Sequence, residues 1–484
     1  MAVASVGLRP RGHLTGLSAR TAHARLPDTA QSGGSPDEPP GSRAHTADDG
    51  MPPMLRCVTN KEMSGVDLNH VLLAVERAAP VDAVEAVTRT IGVDLDAWWV
   101  SFLVADMSGR ALVRLVHVPI GDVPGGRRQD EDVAMVMPFD GGPQEQALSG
   151  QQVLVEQVGD HHVVRAPVTQ RGEAIGLLEI ALSAAPTDAV VRRVSRAAHT
   201  LAFVVIANRR HTDLFEWGQR TSPFTLAAEI QRRLLPASFT CEADSFTLSA
   251  WLEPTASIGG DTFDYSVARD LLHLSVTDAV GHGVNSALTA TLCVGALRNA
   301  RRRGGTLLEQ AQAADDALID NAPAGSPFAT GFLGRLDLST GALAVVNGGH
   351  PTPLLLRDGV TQAVALPANR PFGVLRHKPY LSAEIELQPG DRLVLFTDGM
   401  LERGAADLKL ATRLQHLSAL HPREVVRLLG DLVLEVAGPV LPDDACLLVL
   451  DWHGGHGGAR HTAAGADPSR ASSPSSLVRQ RDNC

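Results

Sequence analysis

The sequence predicts an α+β chain with two folded domains, on three observations. Its 484 residues are too many for one ordinary core. Segments with helical spacing alternate with short apolar runs bounded by Gly, Asp and Ser. Both ends are low-complexity stretches without apolar periodicity.

Residues 1–62 read as a disordered extension rich in Ala, Gly, Ser, Pro and Arg, within which Met51 and Met54, and Met63 just after it, are candidate translation starts. The first domain spans 63–210. Val66 to Ala79 and Val81 to Ile91 have helical spacing, with Pro80 breaking between them. Trp98 to Ala105 and Ala111 to Val118 read as strands joined at Ser108-Gly109. Gln152 to Glu156, Val163 to Val168 and Ile175 to Leu182 follow, the last two joined by the turn Gln170-Arg171-Gly172-Glu173. Thr187-Asp188 caps a further helix.

A helical linker, 187–236, overlaps the end of this domain. Val190, Val194, Ala197, Leu201 and Val204 form one apolar stripe, which suits either a helix packed on its own domain or a signalling helix at a homodimer seam. Ser222-Pro223 reads as a cap with Pro at the first helical position, followed by Leu226, Ile230 and Leu234. The second domain spans 237–452, and 453–484 reads as a disordered tail.

Composition narrows the function classes. Hydrophobic residues make up 44% and charged residues 20%, enough to bury cores. A net charge of -11 and a pI near 5.9 argue against nucleic acid as a partner, since phosphate backbones want a basic surface. The cysteines Cys57, Cys241, Cys293, Cys446 and Cys484 contain no CxxC, so neither a zinc site nor a disulfide framework is expected. No apolar run is long enough for a membrane span, and Arg9 and Arg11 precede no apolar signal core. A cytoplasmic protein without a membrane partner is expected.

The chemistry sits in Asp-bearing clusters of the second domain: Ile258-Gly-Gly-Asp261-Thr-Phe-Asp264-Tyr265, Val276-Thr-Asp278-Ala-Val-Gly-His282-Gly283, Leu393-Val-Leu-Phe-Thr-Asp398-Gly399 and Leu441-Pro-Asp443-Asp444-Ala-Cys446. Any one of them alone is an ordinary Asp-Gly turn. Each, however, lies at the edge of an apolar strand, and strand ends can converge rigidly. Glycine beside an Asp removes bulk and lets the backbone turn. Convergent carboxylates repel one another without a cation, and hard divalent cations prefer oxygen ligands. Two such ions could neutralise phosphoryl oxygens during in-line attack.

In this order and spacing the clusters resemble PP2C-type phosphatases, in particular the bacterial SpoIIE and RsbU-like branch. Ala228-Glu-Ile-Gln-Arg-Arg-Leu-Leu-Pro236, Phe328-Ala-Thr-Gly-Phe-Leu-Gly-Arg-Leu-Asp337 and Val346-Asn-Gly-Gly-His350-Pro-Thr-Pro-Leu-Leu355 resemble its first helix and central strands. The resemblance implies an αββα sandwich and hydrolysis of phosphoserine or phosphothreonine with two Mn²⁺ or Mg²⁺ ions. It implies Asp261, Asp278, Asp398 and Asp443 as metal ligands and catalytic residues, with the backbone carbonyl of Ala279 and, in competition with Asp443, Asp444. Asp264 is either a site residue or a structural acceptor. His282 is either a general acid or a loop histidine bonded to backbone, and His350 is structural. The sequence departs from the branch at Thr262, Ala279-Val280 and Cys446, without loss of an expected carboxylate.

The first domain resembles a GAF module, on Ala147-Leu-Ser-Gly-Gln-Gln-Val-Leu-Val155 and Ala166-Pro-Val-Thr-Gln-Arg-Gly-Glu-Ala-Ile-Gly-Leu-Leu-Glu-Ile180. That implies a sensor with a small-molecule ligand, or a dimerising module. The branch implies a phosphorylated anti-anti-sigma (STAS-domain) partner in a sigma-factor pathway. Two alternatives stand beside the phosphatase: a catalytically inactive, phosphatase-like binding module, and a diguanylate cyclase suggested by Gly259-Gly260-Asp261. The cyclase leaves the other Asp clusters unexplained.

Overall fold

The computed structural model describes residues 68–121, 135–221, 224–253, 259–321, 327–376, 378–401, 409–438, 441, 443–455, 460, 462 and 464–473. The extension 1–62, the candidate starts Met51, Met54 and Met63, the Ser222-Pro223 cap, Ile258, Pro442 and residues 474–484 lie outside them.

The first domain wraps helices around one antiparallel sheet. Helices α1 (Leu68–Arg77) and α2 (Ala83–Asp94) precede β1 (Trp99–Ala105) and β2 (Ala111–Pro119). Then come β3 (Val136–Pro138), α3 (Pro143–Gly150), β4 (Leu154–Val158), β5 (His161–Gln170), β6 (Glu173–Leu182) and α4 (Asp188–Asn208). The strand order is β3-β2-β1-β6-β5-β4. Arg171 and Gly172 both have positive φ, 47° and 77°, as a tight hairpin turn requires. Thr187 caps α4 by accepting a hydrogen bond from the Val190 N–H at 3.4 Å. The strands β1, β2, β5 and β6 and helix α4 match the sequence reading. The short β3 and α3 were not anticipated, because neither has an apolar period long enough to register.

The α4 stripe has an intramolecular partner. Val194, Ala197, Leu201 and Val204 are buried in the core of their own domain with Val164, Ala166 and Ile180. That choice buries the apolar face within one chain and leaves no seam on that stripe for a second copy. After α5 (Leu214–Gly218), helix α6 (Leu226–Leu234) starts from Thr225, whose hydroxyl accepts from the Ala228 N–H at 3.2 Å. The apolar stripe of α6 is unevenly buried: Ile230 and Leu234 are half-buried, and Leu234 packs on the core that holds Leu297 and Leu318. Leu226 is 65% exposed, whereas Ala227, Ala228 and Gln231 are buried. Small residues let the helix approach the second domain closely, and Gln231 faces inward with them.

The second domain is the αββα sandwich that the resemblance implies. One sheet runs β15-β12-β11-β10-β9 and the other β14-β13-β16-β17-β8-β7. Their strands are β7 (Thr240–Glu242), β8 (Phe246–Glu253), β9 (Asp261–Val267), β10 (Leu271–Ala279), β11 (Ala329–Asp337), β12 (Ala342–Gly348), β13 (Leu354–Arg357), β14 (Val360–Ala363), β15 (Ala383–Glu386), β16 (Arg392–Phe396) and β17 (Ala445–Trp452). Phe246, Phe263, Phe332, Leu395 and Leu448 fill the space between the sheets. Helices α7 (Val284–Arg302) and α8 (Leu307–Asn321) cover the first sheet through Leu297, Leu318 and Leu333. Helices α9 (Leu410–His416) and α10 (Pro422–Ala437) cover the second through Leu414, Val425 and Val449.

Ion pairs and backbone contacts join the domains. Arg110 reaches Asp431 at 2.6 Å and Glu253 at 3.0 Å. Arg423 donates to the carbonyls of Gly172 at 2.8 Å and Ser149 at 3.2 Å.

The expectation of a structureless tail is corrected for residues 460, 462 and 464–473. Glu242, only 1% exposed, takes Arg460 at 2.7 Å, the Asp467 N–H at 2.9 Å and His421 at 3.1 Å. The Gly172 N–H donates to the Gly465 carbonyl at 3.0 Å, so the tail touches both domains. A low-complexity composition hid this because the contact rests on one buried carboxylate, not on an apolar stripe.

Candidate active site

Each predicted Asp sits where the sequence reading placed it, at a strand end. Asp261 opens β9, Asp278 lies one residue from the end of β10, Asp398 follows β16 in a 3-10 turn (Asp398–Met400), and Asp443 and Asp444 precede β17. Strands β9 and β10 pair so that Asp261 and Asp278 are direct cross-strand partners. Strands β16 and β17 pair in the facing sheet. The topology therefore brings acids from both sheets to one end of the sandwich.

Two glycines permit this approach. A Cβ on Gly260 would lie 2.4 Å from the Ala279 carbonyl oxygen. A Cβ on Gly399 would lie 2.0 Å from the Asp444 carbonyl oxygen. Neither contact is possible for a residue with a side chain. The Ala279 N–H donates to the Gly260 carbonyl at 3.2 Å, fixing the segment that presents the Ala279 carbonyl.

Buried hydrogen bonds hold the inner carboxylates. The Thr397 hydroxyl donates to Asp261 Oδ2 at 2.6 Å and accepts from the Cys446 N–H at 2.9 Å, tying β16, β17 and β9 together. Asp444 Oδ2 accepts from Gln231 Nε2 at 2.7 Å and from the Gly260 N–H at 3.1 Å. The same Gln231 nitrogen donates to the Asp261 carbonyl at 2.8 Å. Asp443 Oδ1 accepts from the Asp444 N–H at 2.8 Å, closing a local turn.

The electrostatics are those of crowded carboxylates. Burial raises the pKa of Asp261, and Asp278 and Asp444 raise it further, against the Thr397 hydrogen bond. Burial, then Asp398, Asp443 and Asp444, push Asp278 up to about 7, against its hydrogen bond with Asp261. The five aspartates thus share one field, and like charges in a dry pocket cannot all ionise without a cation. The donor set is oxygen throughout, which suits hard divalent ions. Among the described residues, no three His, Cys, Asp or Glu side chains are closed around a common point as a finished ligand shell. Asp261 and Asp444 are pinned inward. Asp278 and Asp443 are half-buried and Asp398 is exposed.

Asp264 is structural. It takes Arg298 at 2.8 Å and Arg301 at 3.0 Å, anchoring α7 on β9. His282 is exposed on the loop between Gly281 and Gly283, and its ring makes no hydrogen bond among the described residues. The backbone-bonded alternative for it is therefore not seen. His350 is buried, bonds Thr330 at 2.8 Å, and is pushed down to about 3 by burial, which fits a structural role. Thr397 and Gln231 were not anticipated as site residues. The signal for Gln231 was a polar residue three and four positions after Ala228 and Ala227 on a helix.

Part of the chain is similar to known proteins. The model of the family described as Stage II sporulation protein E (SpoIIE) matches residues 268–453. Phosphoserine phosphatase RsbP of Bacillus subtilis is 22% identical over 248 residues, covering 47% of this chain and 57% of RsbP. Phosphoserine phosphatase RsbU of the same organism is 23% identical over 235 residues, covering 47% of this chain and 70% of RsbU. The solved RsbU and RsbW domains of Rv1364c from Mycobacterium tuberculosis are 28% identical, with a TM-score of 0.39, covering 44% of this chain and 62% of that one. The chain thus spans little more than half the length of RsbP. Among the described residues, no helix is long and apolar enough to cross a membrane.

Proposed function

We propose that this protein is a metal-dependent protein serine/threonine phosphatase, since the SpoIIE family model matches residues 268–453. The observation that carries the reading is the shared field of Asp261, Asp278, Asp398, Asp443 and Asp444. Mn²⁺ or Mg²⁺ ions would be held by Asp261, Asp278, Asp398 and Asp443, with the Ala279 carbonyl and Asp444 completing the oxygen set. When bound, such ions stabilise charge on a phosphoryl group and lower the pKa of water.

The protein's own residues supply order. Thr397 fixes Asp261, and Gln231 fixes Asp444 and the backbone of Asp261. That geometry leaves Asp278, Asp398 and Asp443 to reach outward. His282, exposed and untethered beside the site, is free to turn toward a leaving seryl oxygen and donate its proton.

The substrate we propose is a phosphoserine on a small anti-anti-sigma (STAS-domain) protein in the cytoplasm, as the likeness to RsbP and RsbU suggests. Its dephosphorylation would let that partner sequester an anti-sigma kinase and free a sigma factor. The GAF-like first domain would act as the sensor, and its docked contacts through Arg110 and Arg423 give it a route to the phosphatase domain.

The alternative is a catalytically inactive, phosphatase-like binding module. Hydrolysis of p-nitrophenyl phosphate by the full chain separates the two. Mn²⁺-dependent turnover that Asp398→Ala abolishes supports the phosphatase. No turnover with Mn²⁺ or Mg²⁺ leaves the binding module.

A further inference from the structure

A groove of about 640 Å³ lies where the end of α4 meets α5 and α6. Arg209, Arg210 and His211 line it from the end of α4, Arg232 and Arg233 from α6, and Asp213 and Glu216 are its acids. Glu216 is already engaged, with Arg233 at 3.1 Å and Arg220 at 3.4 Å. Glu229, the next acid on α6, takes the same two arginines at 3.3 Å and 2.6 Å. Among the described residues, Arg209, Arg210 and Arg232 have no carboxylate partner.

Arg232 is the informative one. Its guanidinium lies 5.3 Å from the Phe239 ring centroid, and its Nε is buried without a hydrogen-bond partner among the described residues. Burial lowers its pKa; Glu216 and Glu173 pull it up, while Arg209 and Arg233 push it down. Among the described residues, Arg209 bonds only the Ala237 carbonyl, at 3.2 Å. A buried donor without an acceptor is costly, and neighbouring like charges repel. In a chain of net charge -11, a concave surface on which the guanidinia of Arg209, Arg210, Arg232 and Arg233 outnumber the carboxylates of Asp213 and Glu216 calls for an anion.

We propose that this groove binds a free phosphorylated small molecule through Arg209, Arg210 and Arg232. Guanidinium forks match phosphate oxygens in pairs. A phosphate carries up to two charges, so it balances this cluster better than a single carboxylate. The volume leaves room for more than the phosphate itself. Arg232 is next to Gln231, so the occupant would grip the same helical turn that holds Asp444. This inference stands whether or not the chain is an active phosphatase.

Inorganic pyrophosphate is the probe, titrated calorimetrically into the full chain in EDTA so that no metal can bind it at the aspartates. Saturable binding is expected. Arg232→Gln and Arg210→Glu should each weaken it about tenfold or more, because each removes a charged hydrogen bond. Arg210 is exposed, so its variant keeps the fold even if the Arg232 variant does not. Asp398→Asn should bind as the wild type does. No saturable binding, or unchanged affinity in the Arg210→Glu variant, overturns the proposal. So does loss of binding in Asp398→Asn, which would put the anion among the aspartates. Capture by phosphatidic acid vesicles without pyrophosphate binding would assign the groove to a lipid surface and also overturn it.

Discussion

The side-chain amide of Gln231 donates to Asp444 Oδ2 at 2.7 Å, across 213 residues of sequence, from a helix that precedes the whole sandwich. The same nitrogen reaches the Asp261 carbonyl, so α6 touches both pinned acids of the site. Gln231 is fully buried, and its Oε1 has no partner among the described residues. Gln231→Met should therefore raise the Mn²⁺ concentration needed for half-maximal activity by about 10- to 100-fold, the range for outer partners of metal ligands. Stability should fall by about 1–3 kcal/mol, since the buried Asp444 carboxylate and Asp261 carbonyl lose a donor. Mn²⁺ titrations of rate beside thermal melts check both halves.

Asp278 sets a pH dependence with a defined sign. Burial and its acidic neighbours hold its folded pKa up near 7, against an unfolded value of about 4. The unfolded chain then gives up the proton first, so the metal-free protein loses stability as pH rises from about 4 through 7. Asp278→Asn should flatten that slope and raise the melting temperature in EDTA at pH 8, while abolishing activity. Melts at pH 5 and pH 8 with and without Mn²⁺ test it; an identical slope in the variant would contradict it.

Gly399 allows the Asp398 turn to lie against the backbone of Asp444, where an added methyl group would sit only 2.0 Å from that carbonyl oxygen. Gly399→Ala should cost about 1–3 kcal/mol, the usual penalty for forcing extra bulk into a packed site. Activity should fall with it, because the strands carrying Asp398 and Asp444 must separate. Urea unfolding and the phosphatase assay give the two readings.

The tail should stabilise the folded chain through Glu242. Burial pushes this carboxyl up, but His421, Arg460 and the Asp467 N–H outweigh it and hold the pKa down to about 2. A depressed carboxyl contributes stability above its unfolded value, about 4, and loses it as pH falls through 2. Removing residues 456–484 should lower the melting temperature at pH 7 by several degrees, and Glu242→Gln in the shortened chain should recover part of it. A shortened chain as stable as the full one would show that the tail contacts carry no weight.

Much of the fold and site was legible because short-range rules fixed it. The apolar runs before Asp278 and Asp398 put both residues at strand ends, where the structure has them. On α6 the apolar period of Leu226, Ile230 and Leu234 did not reveal that packing against the sandwich buries Ala227, Ala228 and Gln231 more deeply. Thr397 and Gln231 were missed as site residues because their partners, Asp261 and Asp444, are distant in sequence. The Glu242 cluster escaped for the same reason.

Calorimetric titration of Mn²⁺ into the full metal-free chain at pH 7.5 tests the shared aspartate site most directly. Saturable binding is expected in the wild type, greatly weakened in Asp278→Asn and in Asp398→Asn, with both variants folded by circular dichroism. Equal Mn²⁺ affinity in the wild type and both variants, or no binding by the wild type, would contradict it.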